Sequence, residues 1–172
     1  MLYPSLKRNL LIHPATSELA ATRWSEQIQD EWTRNLLHDR PDLTPERLAR
    51  TWRLMDAAVP DARIDGYQEL VESLSLPDPD DRHVMAAAIT GQADVLVTWN
   101  LQHFPDETVS DVRREVLTPD DLICRILAQS AQETRQVVEA LRISLRNPPY
   151  SWDGLPVRFG QVGWYRIAEA FA

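Results

Sequence analysis

The sequence is poor in cysteine and has no long apolar segment. Its 172 residues include a single cysteine, Cys124, so no disulfide can form within the chain and we expect a reducing, cytoplasmic location. No apolar run approaches the roughly 20 residues that a membrane-spanning helix needs, and the first residues lack the pattern of a secretory signal. We therefore expect a protein that is neither secreted nor embedded in a membrane.

Positive charge is also scarce. Lysine and arginine number 18 against 26 aspartate and glutamate residues, which gives a formal net charge of −8. This excess argues against a protein that coats nucleic acid nonspecifically. It leaves open a nuclease, whose acids are concentrated at a metal ion. The chain length fits one domain of ordinary size, and 44% apolar residues are enough for a core.

The segment from Leu76 to Ile89 predicts a helix with an unusual acid. Asp78 can cap it, Pro79 suits its first turn, and an apolar stripe follows, formed by Val84, Met85, Ala88 and Ile89. At about 100° per residue, Asp81 falls in the middle of that stripe. An ionised carboxylate that faces a core needs a partner, and a metal ion is one that makes the burial useful. The alternative is that Asp81 only adds to the helix N-terminal cap.

A short apolar run, Val95 to Thr98, predicts a buried parallel strand. Ligands of open α/β sheets bind at the carboxyl ends of strands, so Thr98 and Asn100 are candidate site residues. Asn100 can coordinate a cation or hold a water, although it brings no charge. Trp99 is expected to pack in the core, with base stacking as the alternative.

Helices precede and follow this region. Ser25 is a predicted N-cap of a helix with an apolar stripe, and Glu31 lies at one edge of its buried face. A second helix is predicted to begin at Thr44-Pro45-Glu46. Strands that alternate with helices indicate a parallel sheet with helices on both faces.

The C-terminal third is predicted to be mainly helical. Glu115 to Leu117 is a predicted last strand, and Thr118-Pro119-Asp120-Asp121 resembles a capping box whose two acids are structural. From Leu122 to about Leu145 the apolar pattern is helical. The remaining segment, Tyr150 to Ala172, is too short to bury its aromatic rings and must pack on the main body or on another chain.

Several motifs follow one another along residues 2–125: Leu2-Tyr3-Pro4-Ser5, Trp24-Ser25-Glu26 with Asp30-Glu31-Trp32, Asp78-Pro79-Asp80-Asp81-Arg82-His83-Val84, and Ala93-Asp94-Val95-Leu96-Val97-Thr98-Trp99-Asn100 with Phe104-Pro105. Together they resemble the PIN-domain nucleases, and most of all the VapC-type toxins of bacterial toxin–antitoxin pairs. The resemblance implies a three-layer α/β/α fold with a short parallel sheet over residues 1–146, followed by a short C-terminal helical extension over residues 147–172.

The resemblance also implies an activity and a site. Relatives of this kind are metal-dependent endoribonucleases, so we expect the toxin of a type II system, with Mg²⁺ or Mn²⁺ as cofactor. RNA would be its substrate, a cognate antitoxin protein its partner, and a homodimer its assembly. Glu31 and Asp81 match the family's metal-binding acids and, with Asn100, form the expected catalytic set. Thr98, Lys7 and Arg8 are the expected substrate contacts, although cations on helices are often simply solvated.

The sequence departs from the family pattern at two places. The family's first acid follows a first strand that would precede Met1, so we expect a truncated first strand without that aspartate, through a misassigned start, a trimmed chain or a genuine variant. Asn100 stands where many members have aspartate, and His103 lies where some relatives have another. His103 could donate a proton or contact phosphate, or it could simply face solvent. The alternative function is a PIN-like protein that binds an antitoxin-like partner or RNA without turnover.

Overall fold

Three of the helices begin at the residues that the capping patterns indicate, whereas the helix predicted from Leu76 begins as a 3₁₀ turn at Pro79 and becomes an α-helix at Arg82. A computed structural model describes residues 21–107, 114–144, 149–161 and 163–172. Lys7 and Arg8, two of the expected substrate contacts, lie outside these ranges. The elements are α1 (Glu26–Asp39), α2 (Pro45–Ala58), α3 (Gln68–Val71), α4 (Arg82–Thr90), β1 (Val95–Val97), β2 (Glu115–Leu117), α5 (Pro119–Gln129), α6 (Ala131–Ser144), α7 (Leu155–Gln161) and α8 (Tyr165–Ala170). Short 3₁₀ turns cover Pro60–Ala62, Pro79–Asp81 and Leu101–His103.

Hydroxyl side chains begin three of these helices, as predicted. Each accepts a hydrogen bond from a backbone N–H in the first helical turn: Ser25 from Ile28 at 3.3 Å, Thr44 from Arg47 at 3.4 Å and Thr118 from Asp121 at 3.1 Å. Such caps satisfy donors that have no partner within the helix itself. The starts of α1, α2 and α5 were therefore predictable from local chemistry.

Strand β1 pairs with β2 in a short parallel sheet. The Asp94 carbonyl accepts a hydrogen bond from the Glu115 N–H at 3.2 Å where the two strands begin. A separate parallel bridge joins Trp24 to Arg63. With the helices around it, this sheet confirms the predicted α/β class. No helix in the described ranges is long and apolar enough to cross a membrane.

The described residues from 22 onward form two compact units, Thr22–Val116 and Leu117–Ala172. In the first unit, a polar network joins α1 to α2. The Asp56 carboxylate accepts hydrogen bonds from Trp24 Nε1 and Gln29 Nε2, both at 3.0 Å, and lies 3.6 Å from Arg63. Because Trp24 and Gln29 are buried, these bonds satisfy polar atoms that water cannot reach.

The second unit buries the aromatic C-terminal segment against α5 and α6. Its core consists of residues from four helices and the turn before α8: Ile123, Ile126, Val138, Leu155, Phe159, Trp164 and Ile167. Trp164 and Phe159 are fully buried and stacked, with ring centroids 6.2 Å apart. The sequence predicted that the segment from Tyr150 to Ala172 packs either on the main body or on another chain. In the structure it packs within the chain, against α5 and α6. The predicted domain boundary between residues 146 and 147 stays a prediction.

The segment from Leu122 to about Leu145, whose pattern is helical, forms two helices rather than one continuous helix. Ser130 adopts a non-helical backbone with φ −150° and ψ 82°, so α5 ends at Gln129 and α6 begins at Ala131. Apolar residues recur at helical spacing on both sides of the break, and the pattern therefore does not reveal it. The break lets α6 fold back on α5, so that Val138 joins Ile126 in one core.

Asp120 and Asp121 are structural, as predicted, but their partners are distant in sequence. The two carboxylate oxygens of Asp120 accept hydrogen bonds from the backbone N–H groups of Arg166 at 2.9 Å and Ile167 at 3.0 Å. Asp120 thus caps α8 from another helix. Asp121 accepts a hydrogen bond from the Thr118 hydroxyl at 2.6 Å and pairs with the Arg166 guanidinium.

We expect Asp120→Ala to lower the free energy of unfolding by about 2 kcal/mol or more, because it leaves two N–H groups of α8 without an acceptor. Urea denaturation would measure the change. Asp153→Ala, which removes an exposed acid from the same unit, is the matched control and should change stability by less than about 0.5 kcal/mol. Equal losses in the two variants would contradict the capping role.

Asp121 should make stability depend on pH. The Thr118 hydroxyl, helped by Arg166, lowers the pKa of the Asp121 carboxyl below its ordinary value of 3.8, although burial opposes this shift. A lowered folded-state pKa stabilises the fold above the unfolded-state value, and this contribution is lost as pH falls through the folded-state pKa. Asp121→Asn should therefore reduce the free energy of unfolding at pH 7. The difference in free energy of unfolding between the unmodified protein and the variant should become smaller below about pH 4. Denaturant titrations of both proteins across pH would measure this difference. A difference that stays constant with pH would contradict a stabilising role of the ionised Asp121 carboxylate.

Candidate active site

Three titratable side chains from two segments lie together in the first unit. The ligand atoms of Asp78, Asp81 and His103 are within 4.8 Å of one another. His103 Nδ1 lies 2.6 Å from Asp81 Oδ2 and 3.5 Å from Asp78 Oδ2. We refer to these residues as the acid–histidine cluster.

The two acids of the cluster are positioned by the turn that precedes α4. Asp78 caps this turn, because its Oδ1 accepts a hydrogen bond from the Asp80 N–H at 3.0 Å. Its other oxygen, Oδ2, faces His103. Asp81 directly precedes α4, yet its side chain makes no capping hydrogen bond. The Asp81 carboxylate therefore adds no hydrogen bond to the N-terminus of α4, although it lies at the end of the helix where the dipole favours an acid.

His103 reaches the cluster through the turn that follows β1. Its backbone N–H donates a hydrogen bond to the Asn100 carbonyl at 3.0 Å and closes the 3₁₀ turn Leu101–His103. The next residue, Phe104, is 3% exposed and belongs to the core. The backbone of His103 is thus held on both sides.

One apolar core anchors all the segments that carry the cluster. Leu76, Met85, Leu96 and Phe104 pack in a single group. Leu76 precedes Asp78 by two residues, Met85 lies one helical turn after Asp81, Leu96 lies in β1, and Phe104 follows His103. The positions of the polar atoms therefore follow from the packing of their apolar neighbours.

The cluster has the donor chemistry of a divalent metal site. Two carboxylates and one imidazole are ligand types that divalent cations accept. The three side chains are partly exposed, so small ions can reach them. Since one histidine can offset at most one negative charge, two ionised acids favour a further cation between them.

Glu31 is not a member of this cluster. Its Oε1 lies 2.9 Å from Nε2 of His83, a residue that is only 3% exposed. The contact is short but not aligned as a hydrogen bond. Neither ring nitrogen of His83 has a hydrogen-bond partner within the described ranges. The structure thus places Glu31 beside a buried histidine, and its assignment as a metal ligand stays a prediction.

Sequence reasoning missed His83 and gave Asp78 only a capping role. The sequence did carry a signal for the burial of His83. This residue belongs to α4, which is apolar on nearly every side, and Met85, Ala86 and Ala87 of the same helix are fully buried. A helix of this kind buries its polar residues as well. The sequence carried no comparable signal that Asp78 belongs to the cluster. Its second carboxylate oxygen becomes a candidate ligand only because the fold places His103 beside it.

Two further predicted site residues, Thr98 and Asn100, lie close to His103 in sequence. The Asn100 N–H donates a hydrogen bond to Thr98 Oγ1 at 3.0 Å, so the threonine hydroxyl shapes the turn after β1. Asn100 is exposed, and it is flanked by Trp99 and Leu101, which are 42% and 44% exposed. The prediction that Trp99 is a core residue is therefore wrong, because the turn directs much of its ring to solvent.

Comparison with known proteins gives this arrangement a context. The sequence profile of the PIN domain matches residues 5–102, more than half of the chain. The chain belongs to the PIN domain family. The matched range includes both acids of the cluster and ends one residue before His103.

One curated relative extends the comparison beyond the PIN domain profile. The chain is 31% identical over 109 residues to the "Putative ribonuclease VapC50" of Mycobacterium tuberculosis (strain ATCC 25618 / H37Rv). The match covers 61% of this chain and 64% of that relative, so the chain spans slightly less than two thirds of the relative's length. No solved structure gave a significant match.

The buried imidazole of His83 generates a stability prediction for this PIN domain. Because a buried polar group without a hydrogen bond costs about 1–3 kcal/mol, His83→Leu should leave the free energy of unfolding unchanged or raise it. His83→Ala should lower it by about 2 kcal/mol or more, because it opens a cavity. Urea denaturation of both variants would measure this. A large loss in His83→Leu would mean that the contact with Glu31 is a strong polar bond.

Proposed function

We propose that this PIN domain protein is a divalent-metal-dependent endoribonuclease and the toxin of a type II toxin–antitoxin pair. The observation that carries the proposal is the acid–histidine cluster beside the carboxyl end of β1, where α/β proteins place their ligands. Family membership and the name of the relative, a putative ribonuclease, support the same activity.

Mg²⁺ or Mn²⁺ is the proposed cofactor, since PIN nucleases generally use divalent metals. Such an ion, when bound, supplies an activated water and offsets negative charge on the phosphodiester. Asp81 and Asp78 would hold it through the carboxylate oxygens that face His103. In the absence of a cation, these two acids repel a phosphate group. RNA binding at this position should therefore depend on the metal.

The other residues of the predicted site keep their proposed roles. Glu31 supplies a further acid, and the exposed Asn100 orients water or substrate next to the cluster. Thr98 supports the turn that carries Asn100. Lys7 and Arg8 are proposed phosphate contacts that lie outside the described ranges.

An RNA substrate is also consistent with the exposed ring of Trp99, which follows β1 and precedes Asn100. Unpaired bases stack readily on exposed aromatic side chains. We further propose a cognate antitoxin protein as partner, a homodimer as the assembly, and the cytoplasm as the location where such a toxin meets cellular RNA.

The test is cleavage of total cellular RNA by the purified protein with Mg²⁺ or Mn²⁺, and with EDTA as a control. Asp81→Asn should reduce the cleavage rate by about 100-fold or more, because it removes a charged ligand. Asp80→Asn is the matched control. It changes the same charge at the neighbouring position, but Asp80 is exposed and outside the cluster, and the rate should stay within about twofold.

Two results would contradict this proposal. Cleavage that persists at the same rate in Asp81→Asn would place the active site elsewhere. An unmodified protein that binds the ion and RNA but cuts nothing would favour the alternative of a PIN-like binding protein.

A further inference from the structure

We propose that His103 is itself a metal ligand, and that its ring nitrogen makes this site prefer Mn²⁺ and related transition-metal ions over Mg²⁺. The inference rests on the proposed metal-dependent function, which it extends by naming a third ligand and an ion preference. It is drawn from the position and chemistry of His103 in this chain.

The first support is the direction in which the ring nitrogen faces. His103 Nδ1 lies 2.6 Å from Asp81 Oδ2 and 3.5 Å from Asp78 Oδ2. A cation held by these two oxygens would take the place of the proton that Nδ1 shares with Asp81, which is released to solvent, and would then meet the lone pair of an imidazole nitrogen.

The second support is that His103 is not a solvent-facing loop residue. Its side chain is 25% exposed, about the same as the 23% of Asp81. The 3₁₀ turn to Asn100 and the buried ring of Phe104 hold its backbone. Ligands that are positioned before the ion binds lose little conformational freedom on binding, so the ring is suited to coordination.

The third support is the chemistry of the donor set. Mg²⁺ favours oxygen ligands and keeps several waters, whereas imidazole is a common ligand of transition-metal ions. Two carboxylates with one imidazole thus shift the preference away from Mg²⁺. An aspartate at position 103 would give three carboxylates, a donor set better suited to Mg²⁺.

The experiment measures metal binding to the full chain without RNA. Titration calorimetry with Mn²⁺ and with Mg²⁺ should give a dissociation constant at least about tenfold lower for Mn²⁺. Pulsed electron paramagnetic resonance of the Mn²⁺-loaded protein should show coupling to a ¹⁴N nucleus. His103→Asn should abolish that coupling, and His103→Asp should abolish it while reducing the Mn²⁺ preference by about tenfold. His38→Asn, which changes an exposed histidine of α1, is the control and should alter neither result.

The spectrum of the unmodified protein tests the ligand directly, even if a variant folds poorly. Bound Mn²⁺ without ¹⁴N coupling would overturn the inference and leave His103 as an ion-pair partner of the two acids. A failure to bind Mn²⁺ at all would also overturn it. Nitrogen-coordinated Mn²⁺ in a protein that cleaves no RNA would support the ligand assignment and contradict the proposed function, so the two failures are distinguishable.

Discussion

The packing of Leu76, Met85, Leu96 and Phe104 into one core is the constraint on which the candidate site depends. Full burial of a side chain of this size contributes about 1.5–3 kcal/mol. That contribution offsets the repulsion of two carboxylates held near each other. The acid–histidine cluster forms because residues of this core flank both chain segments that carry its side chains, and their packing brings the two segments together. Any change that loosens the core would therefore disturb the ligand positions as well.

The chain uses aspartates near helix starts in two different ways. Both oxygens of Asp120 accept backbone N–H groups of α8, so this carboxylate is fully engaged in holding the C-terminal unit together. Asp81 precedes α4 without capping it, and its carboxylate faces His103 instead. An acid that is not used for capping stays available to a ligand. The buried His83 beside Glu31 is another polar group that the fold leaves poorly satisfied, as is common near functional sites.

Much of the fold could be predicted because its signals are local. Hydroxyl caps marked the starts of α1, α2 and α5, and the run after Asp94 marked β1. The break at Ser130 could not be predicted, since the apolar spacing continues across it and only the packing of α6 on α5 shows the turn. In the site, Asp81 was identified because the predicted helix placed it on an apolar face, although the structure places it in the turn just before α4. Its partner His103, 22 residues away, had only a weak signal of its own.

The sequence alone determined the helix starts, the α/β class and the PIN family, because these depend on neighbouring residues and on motifs read in order. Only the tertiary structure decided which polar side chains meet. It placed His103 and the second oxygen of Asp78 next to Asp81, and it set Glu31 against His83. Such meetings depend on how separate segments pack on a shared core. No local pattern specifies that packing, because it is the sum of many weak contacts between residues far apart in the chain.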